Sequence, residues 1–488
     1  MTAKDFESRT ATVHRPFWTA CVALGLSFAP AAGALAQEHD SADAQAREIF
    51  RQLIEINTTD SAGSTTAAAQ AMAQRFLDAG FSSADLKVAG PTDRKKNLVL
   101  RYRGTDARKP VLFIGHLDVV EARREDWTTD PFQLVEKDGY FYGRGAEDMK
   151  SGDALLVSNF IRLKQEGFVP GRDLILALTA DEENGDDNGV DWLLKNHRDW
   201  IDAGYCINLD GGEFEKDKGK RLQAAVQASE KVYADFQLES LNPGGHSSVP
   251  SADNAIYHLA DALARIRSFS FPAEVNEITR NYFTRMAALT SGQLSADLKA
   301  VAQDPPDAAA VARASENPYF NSLLHTTCVA TMLSGGHAPN ALPQTARANV
   351  NCRIFPGEDP EQVRKTLERV IGDPKVSVTA VQQKSADGSA IPIVPVPPSP
   401  LLPEVMSAMK SAVESMWPGL PIVTTMATGA SDGKFLRIAG IPTYGIACMF
   451  FDLEDNRAHG KDERIGVRDF YDGVEFNYRL IKALSANP

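Results

Sequence analysis

The chain has 488 residues, 43% of them hydrophobic, and a formal net charge of −13 from 51 Lys/Arg and 64 Asp/Glu. Its length allows two or three domains around a large core, and its apolar share excludes a disordered chain. The acidic balance argues against nucleic acid as the main partner.

The first stretch reads as an export signal over residues 1–36. Arg15 ends a charged region, Phe17 to Leu35 is apolar or small, and Ala34-Leu35-Ala36 offers a small-x-small cleavage point before Gln37. An uncleaved membrane anchor is the alternative, but Pro30, Gly33 and the small residues favour cleavage. The expected product is secreted or periplasmic, with no stable membrane insertion after cleavage. It keeps 48 basic and 62 acidic residues, a formal charge of −14.

Ala42 to Ile56 predicts an amphipathic helix with Ile49, Phe50, Leu53 and Ile54 on one face, and Thr65 to Ala79 a second helix. Apolar runs at 97–102, 111–115, 174–178 and 205–209 predict buried strands. Their alternation with helical segments up to Asp210 is the pattern of an α/β domain. After about residue 225 the period changes. Val232, Ala234, Phe236 and Leu238 alternate with polar residues, a half-buried strand with one wet face. A helix marked by Ile256, Leu259, Leu263 and Ile266 follows. Strands at 327–333 and 345–354, a helix at Pro360 to Ile371 and a strand at Val376 to Val381 complete an α+β layer, read as an inserted lid. The role of residues 271–325 is not readable. Ile391 to Pro403 has six Pro in thirteen residues and predicts an extended linker, after which a helix at 404–416 restores the α/β pattern. The expected organisation is therefore a catalytic domain over 37–225 and 404–488, a lid over 226–390 and a linker over 391–403. Cys206 and Cys448 fall in apolar strand-like runs and read as core thiols. Cys328 and Cys352 flank the turn near Asn340 at similar distances, so after export they could form a cross-strand disulfide, unless a one-residue slip turns them to opposite faces.

Five stretches carry the chemistry. Three place a His, Asp or Glu just after an apolar run: Ile114-Gly115-His116-Leu117-Asp118, Thr179-Ala180-Asp181-Glu182-Glu183 and Ile207-Asn208-Leu209-Asp210-Gly211. A fourth, Gly143-Arg144-Gly145-Ala146-Glu147-Asp148-Met149-Lys150-Ser151, puts Asp148 in a Gly-rich turn between strand and helix, and the fifth is Asn456-Arg457-Ala458-His459-Gly460. Each alone has a plain alternative: a strand-end His beside a turn Asp, a carboxylate at a helix N-terminus, a solvated acidic turn, an exposed loop His. Together they put two imidazoles and several carboxylates where open α/β sheets gather ligands, a donor set that zinc accepts.

In this order the motifs resemble the dinuclear zinc peptidases and deacylases that include glutamate carboxypeptidase, aminoacylase, succinyl-diaminopimelate desuccinylase and yeast carboxypeptidase S. The resemblance runs from about residue 45 to the end. It implies an α/β catalytic domain with an inserted α+β dimerisation-type lid, and two Zn2+ ions, with Co2+ or Mn2+ fitting the same ligands. It makes Asp148 the bridge, with a cis peptide to Met149, His116 and Asp210 ligands of one ion, and Glu183 and His459 ligands of the other. Glu182 becomes the general base, and Asp118 the carboxylate that fixes the His116 tautomer. His246, in Gly244-Gly245-His246-Ser247-Ser248, becomes the lid imidazole that stabilises the oxyanion. Asn340 and Arg353 grip the substrate carboxylate. Gly429 lies in a Gly-rich substrate loop, Thr428 to Asp432, where Ala430 departs from the more usual Gly or Thr. The implied activity is hydrolysis of a small peptide or N-acyl amino acid, with a homodimer through the lid as the implied assembly. Aminopeptidase or dipeptidase activity on the same site, an inactive binding protein of the same fold, and a periplasmic solute-binding protein are the alternatives.

Overall fold

Strand-end ligands require a sheet whose parallel strands finish at one edge, and the chain builds one. The computed structural model describes residues 31–384 and 390–486. The expected export signal lies outside the described residues as far as residue 30. Residues 31–41 belong to a helix, Ala31–Glu55, which starts earlier than the sequence pattern indicates. No helix among the described residues is long and apolar enough to cross a membrane.

Residues 42–488 carry a ten-stranded mixed sheet. At its centre Leu174–Thr179, Val111–His116, Tyr205–Asn208 and Thr443–Gly445 lie side by side and parallel. Their alternate residues face opposite helix layers. Phe113 and Leu176 pack with Phe160 and Phe476, from the helices Lys150–Gln165 and Val467–Ser485. Leu112 and Ile175 pack with Val190 and Leu436, from Gly189–Asn196 and Gly433–Ile438. Burial on both faces explains why these strands read as unbroken apolar runs.

The lid is a four-stranded antiparallel sheet in the order Thr327–Gly335, Thr345–Ile354, Val232–Leu241, Val376–Val381. Helices Ala255–Arg267 and Pro360–Ile371 cover one face, where Leu259 and Leu367 meet Phe236 and Val350. Tyr233, Asp235, Gln237 and Glu239 point to the other face, as the alternation predicts. Cys328 and Cys352 are bonded and directly opposite in register. The one bulge in this pairing falls between Ala330 and Met332, beyond the disulfide, so it does not turn the two cysteines apart.

Two features differ from the sequence expectation. The strand Lys220–Glu230 runs through the position between 225 and 226 where the lid was expected to begin, and pairs in the main sheet with Ile422–Ala427. Residues 223–230 are all buried, so no alternation marks the end of the domain. Residues 271–325 fold into four helices, Glu277–Leu289, Gly292–Val301, Ala308–Ala314 and Pro318–Leu324. Phe283, Leu298 and Leu323 share a core with Val423 and Met426, which belong to the main sheet. The Pro-rich linker is extended but anchored: Ser399 donates its N–H to Ala228 and accepts from Thr443 and Arg437 through its hydroxyl.

Candidate metal centre

Three neighbouring strands deliver most of the site to one edge. His116 is the last residue of its strand, Glu182 and Glu183 follow Leu174–Thr179, and Asp210 follows Tyr205–Asn208. Asp148 comes from the loop before the helix Lys150–Gln165, and His459 from a loop near the C-terminus. The Asp148–Met149 peptide is cis.

Asp148 is the common member of two groups. His116, Asp148 and Asp210 bring ligand atoms within 4.8 Å of one another, and so do Asp148, Glu183 and His459. One oxygen of Asp148 lies 3.0 Å from Nε2 of His116 and the other 3.1 Å from Nε2 of His459. His459 also meets Glu183 at 3.1 Å. A single carboxylate thus turns one oxygen to each imidazole.

The electrostatics ask for cations. Burial, and next the charge of Asp148, push Asp210 well above the usual carboxylate range. Burial, and next Asp210, do the same to Glu182. Burial pulls His116 down, but its hydrogen bond to Asp148 and the surrounding carboxylates outweigh this and raise it well above its ordinary value. His459 is pushed up to about 10, first by Asp148 and then by Glu183. Carboxylates clustered at this depth are costly unless positive charge joins them. Imidazole and carboxylate donors suit divalent zinc, cobalt or manganese, so the residues present fit a metal pair.

Asp118 does a different job from the one expected. Nδ1 of His116 lies 3.1 Å from the backbone carbonyl of Asp118 and 3.8 Å from its carboxylate. The carbonyl can only accept, so it sets the tautomer and leaves Nε2 for a metal. The carboxylate accepts instead from the backbone N–H groups of Glu182 and Glu183, at 3.1 and 3.0 Å. It therefore fixes the turn that carries both glutamates.

The lid residues are not among these groups. His246 is exposed on a two-residue strand, paired with Ala341, and its Nδ1 lies 2.6 Å from the Ser248 hydroxyl. Asn340 is its neighbour, accepting the Ser247 N–H through its carbonyl. Arg353 lies on the open face of the lid sheet, 4.7 Å above the Tyr233 ring. Gly429 lines a pocket of about 320 Å³ that also includes Asp210, Glu213, Glu215 and Tyr319. A Cβ at Gly429 would meet no atom within 4 Å, so close packing does not demand glycine there. A second pocket, of about 390 Å³, is lined by Glu183 and Asp118 on the opposite flank. Tyr319 comes from the helical stretch whose role was unreadable, so that stretch supplies a wall of the cleft.

The sequence reading passed over Asp432. Its buried carboxylate accepts from the Thr179 hydroxyl at 2.9 Å and from the Asn188 amide at 2.6 Å, beneath the strand end that leads to Glu182. Burial raises it to about 6, against the pull of the Asn188 hydrogen bond. Its signal was its place in the Thr428–Asp432 run, where attention went to the glycine.

Comparison with known proteins fits this geometry. The model of peptidase family M20/M25/M40 matches residues 112–483. A probable carboxypeptidase S-like 2 of Dictyostelium discoideum is 27% identical over 403 residues, covering 79% of this chain and 74% of that protein. The human N-fatty-acyl-amino acid synthase/hydrolase PM20D1 is 26% identical over 393 residues, covering 78% and 75%. Among solved structures, the M20 family metallo-carboxypeptidase Sso-CP2 of Sulfolobus solfataricus superposes with a TM-score of 0.66 at 16% identity, over 90% of this chain and 99% of that one. With the family matched over most of the chain, and the fold shared from the main sheet through the inserted lid, this protein belongs to peptidase family M20/M25/M40 and is a hydrolase of peptide or N-acyl-amino-acid amide bonds.

Proposed function

We propose that the chain is an exported dinuclear zinc hydrolase of the carboxypeptidase or deacylase type. The carrying observation is Asp148, whose two oxygens reach His116 and His459 separately. His116 and Asp210 would hold one ion, Glu183 and His459 the other, with Asp148 between them. Bound there, the two ions would polarise the scissile carbonyl and make water a competent nucleophile near neutral pH. Glu182 takes the proton of that water and returns it to the departing amine. Asp118 and Asp432 keep Glu182 in reach by fixing the turn and strand end around it. His246 donates an N–H to the developing oxyanion once the lid closes or a partner's lid swings in. Arg353 and Asn340 hold the substrate carboxylate, Arg353 through its two-pronged guanidinium. The pockets beside Glu183 and beside Asp210 provide room for the two arms of the substrate.

Export is supported by the apolar N-terminal stretch and by the Cys328–Cys352 bond, since disulfides persist in oxidising compartments. A homodimer through the lid is supported by its outer strand Thr327–Gly335, where Val329, Met332 and Leu333 are 61%, 71% and 71% exposed. A second reading, a dipeptidase or aminopeptidase, is favoured by one feature: Glu213 and Glu215 line the pocket beside Asp210, where they would suit a free amine.

The test is hydrolysis by purified residues 37–488 of N-acyl amino acids and of free dipeptides, with chelator and with zinc restored. Chelator-sensitive cleavage of N-acyl amino acids is expected. Preference for free dipeptides would move the assignment to the second reading, and chelator-resistant cleavage would remove the metals from the chemistry.

A further inference from the structure

Asp148 and His459 stand 311 positions apart and share the second ligand group, yet neither lies in a helix or strand. His459 also has a positive φ of 62°, a left-handed conformation that a non-glycine residue keeps only where its surroundings enforce it. The strands Tyr140–Tyr142 and Arg464–Gly466 pair and bring the bases of the two loops together, but the position of each ligand within its loop has still to be set.

One buried ion pair touches both. Glu463 is fully buried, and Arg144 is 2% exposed. The Glu463 carboxylate accepts backbone N–H groups from Gly145 at 3.2 Å, Glu147 at 2.7 Å and Asp148 at 3.0 Å. It is also paired with the Arg144 guanidinium. Arg144 donates in turn to the carbonyls of Gly460 at 2.9 Å and His459 at 3.4 Å, and its guanidinium lies 5.1 Å from the centre of the Trp127 ring. The loops are tied directly as well, since Gly143 donates its N–H to the Glu463 carbonyl. Charge-assisted hydrogen bonds in a dry setting are strong and geometrically demanding.

We infer that Arg144 and Glu463 are positioning residues for the second metal subsite. Glu463 sets the backbone of Asp148, Arg144 sets the backbone of His459, and their mutual pairing fixes the spacing at which both can reach one ion. The His116 side depends on the pair only through the shared Asp148, because His116 ends one central strand and Asp210 follows another. This inference rests on the reading of Asp148 and His459 as metal ligands.

Glu463→Gln tests it. The amide keeps the size of the side chain but turns an NH2 group toward a backbone N–H or the guanidinium, so at least one bond is lost. Because a broken buried ion pair can unfold a protein, the double variant Arg144→Met/Glu463→Gln is the companion, removing both charges together. Three readouts are taken: melting of the apoprotein, zinc affinity by competition with a chelating dye, and the visible spectrum of the cobalt-loaded form. The expected result is a folded apoprotein that binds the ion on the His459 side about 10–100-fold more weakly, the ion on the His116 side being weakened less because His116 and Asp210 still hold it, with an altered cobalt spectrum. Wild-type affinity for both ions in a folded variant overturns the inference. So does failure of both variants to fold as apoprotein, which would make the pair a structural one. If wild type itself takes up a single ion, the two-metal reading falls and the clasp falls with it. Two ions bound equally well by wild type and variant remove the clasp alone.

Discussion

The carboxyl edge of the main sheet and the tip of the lid carry the candidate functional residues in opposite ways. At the sheet edge His116 is 2% exposed, its ring is bonded on both nitrogens, and the next residues toward the site are tied through backbone N–H groups to Asp118. At the lid tip His246 is exposed on a ladder of two residue pairs, beside glycines at φ 79° and 154°. On the proposed reading, the strand-end ligands His116 and Asp210 would hold an ion where the fold leaves little freedom. On the same reading His246 would act only when charge develops, and such a group can sit on an element that arrives later. That division implies mutations of sharply different size and kind.

The largest effect belongs to Asp148→Ala. Removing the common member of both groups should take metal content toward zero and activity to assay background; elemental analysis and turnover on the same sample check this. Glu182→Gln should separate chemistry from binding. Both ions stay and kcat falls by about 10²–10⁴-fold, so metal loss in this variant would blur the distinction between Glu182 and its ligand neighbour Glu183. His246→Ala should keep the fold and both ions while kcat and kcat/KM fall together by about 10²–10³-fold. A rise in KM alone would reassign His246 to ground-state binding. Opening the lid disulfide by Cys328→Ser/Cys352→Ser should cost the lid about 3 kcal/mol, given a sequence separation of 24. Calorimetry would show the loss, and zinc affinity should not change.

The smallest effect is a pH dependence confined to the lid. His258 lies between Asp373 at 2.6 Å and Asp253 at 3.0 Å, with Lys375 paired to Asp253. The hydrogen bond to Asp373, then that to Asp253, raises its pKa. A group raised on folding adds stability below its unfolded pKa and loses it as pH climbs through the folded value. Melting of the lid should therefore fall by a degree or two from mildly acidic to mildly alkaline pH, as a surface pair worth about 1 kcal/mol or less allows. His258→Gln should flatten the slope.

How far the molecule was legible in its sequence follows the same division. His116, Glu183 and Asp210 were visible because each follows a run of apolar residues buried on both faces. The lid strand Val232–Leu241 was visible because its residues alternate. Cys328 and Cys352 could be paired by counting outward from Asn340, although register could not be known before the bulge was located. Besides Asp432, three things escaped. The Asp118 carboxylate turns to the 182–183 backbone, a choice made by a neighbouring strand end. Arg144 lies inside one run already singled out and Glu463 three residues past another, but nothing local says that residues 319 positions apart meet. Tyr319 reaches the cleft only because four helices of the insertion pack on the strand Ile422–Ala427.

The central claim is that one carboxylate, Asp148, joins two ligand groups into a two-ion site. The most direct measurement is stepwise zinc titration of the apoprotein, with turnover of an N-acyl amino acid followed at each addition. The account predicts binding that saturates at two ions per chain, with full activity only at the second. Full activity at one ion per chain would contradict it.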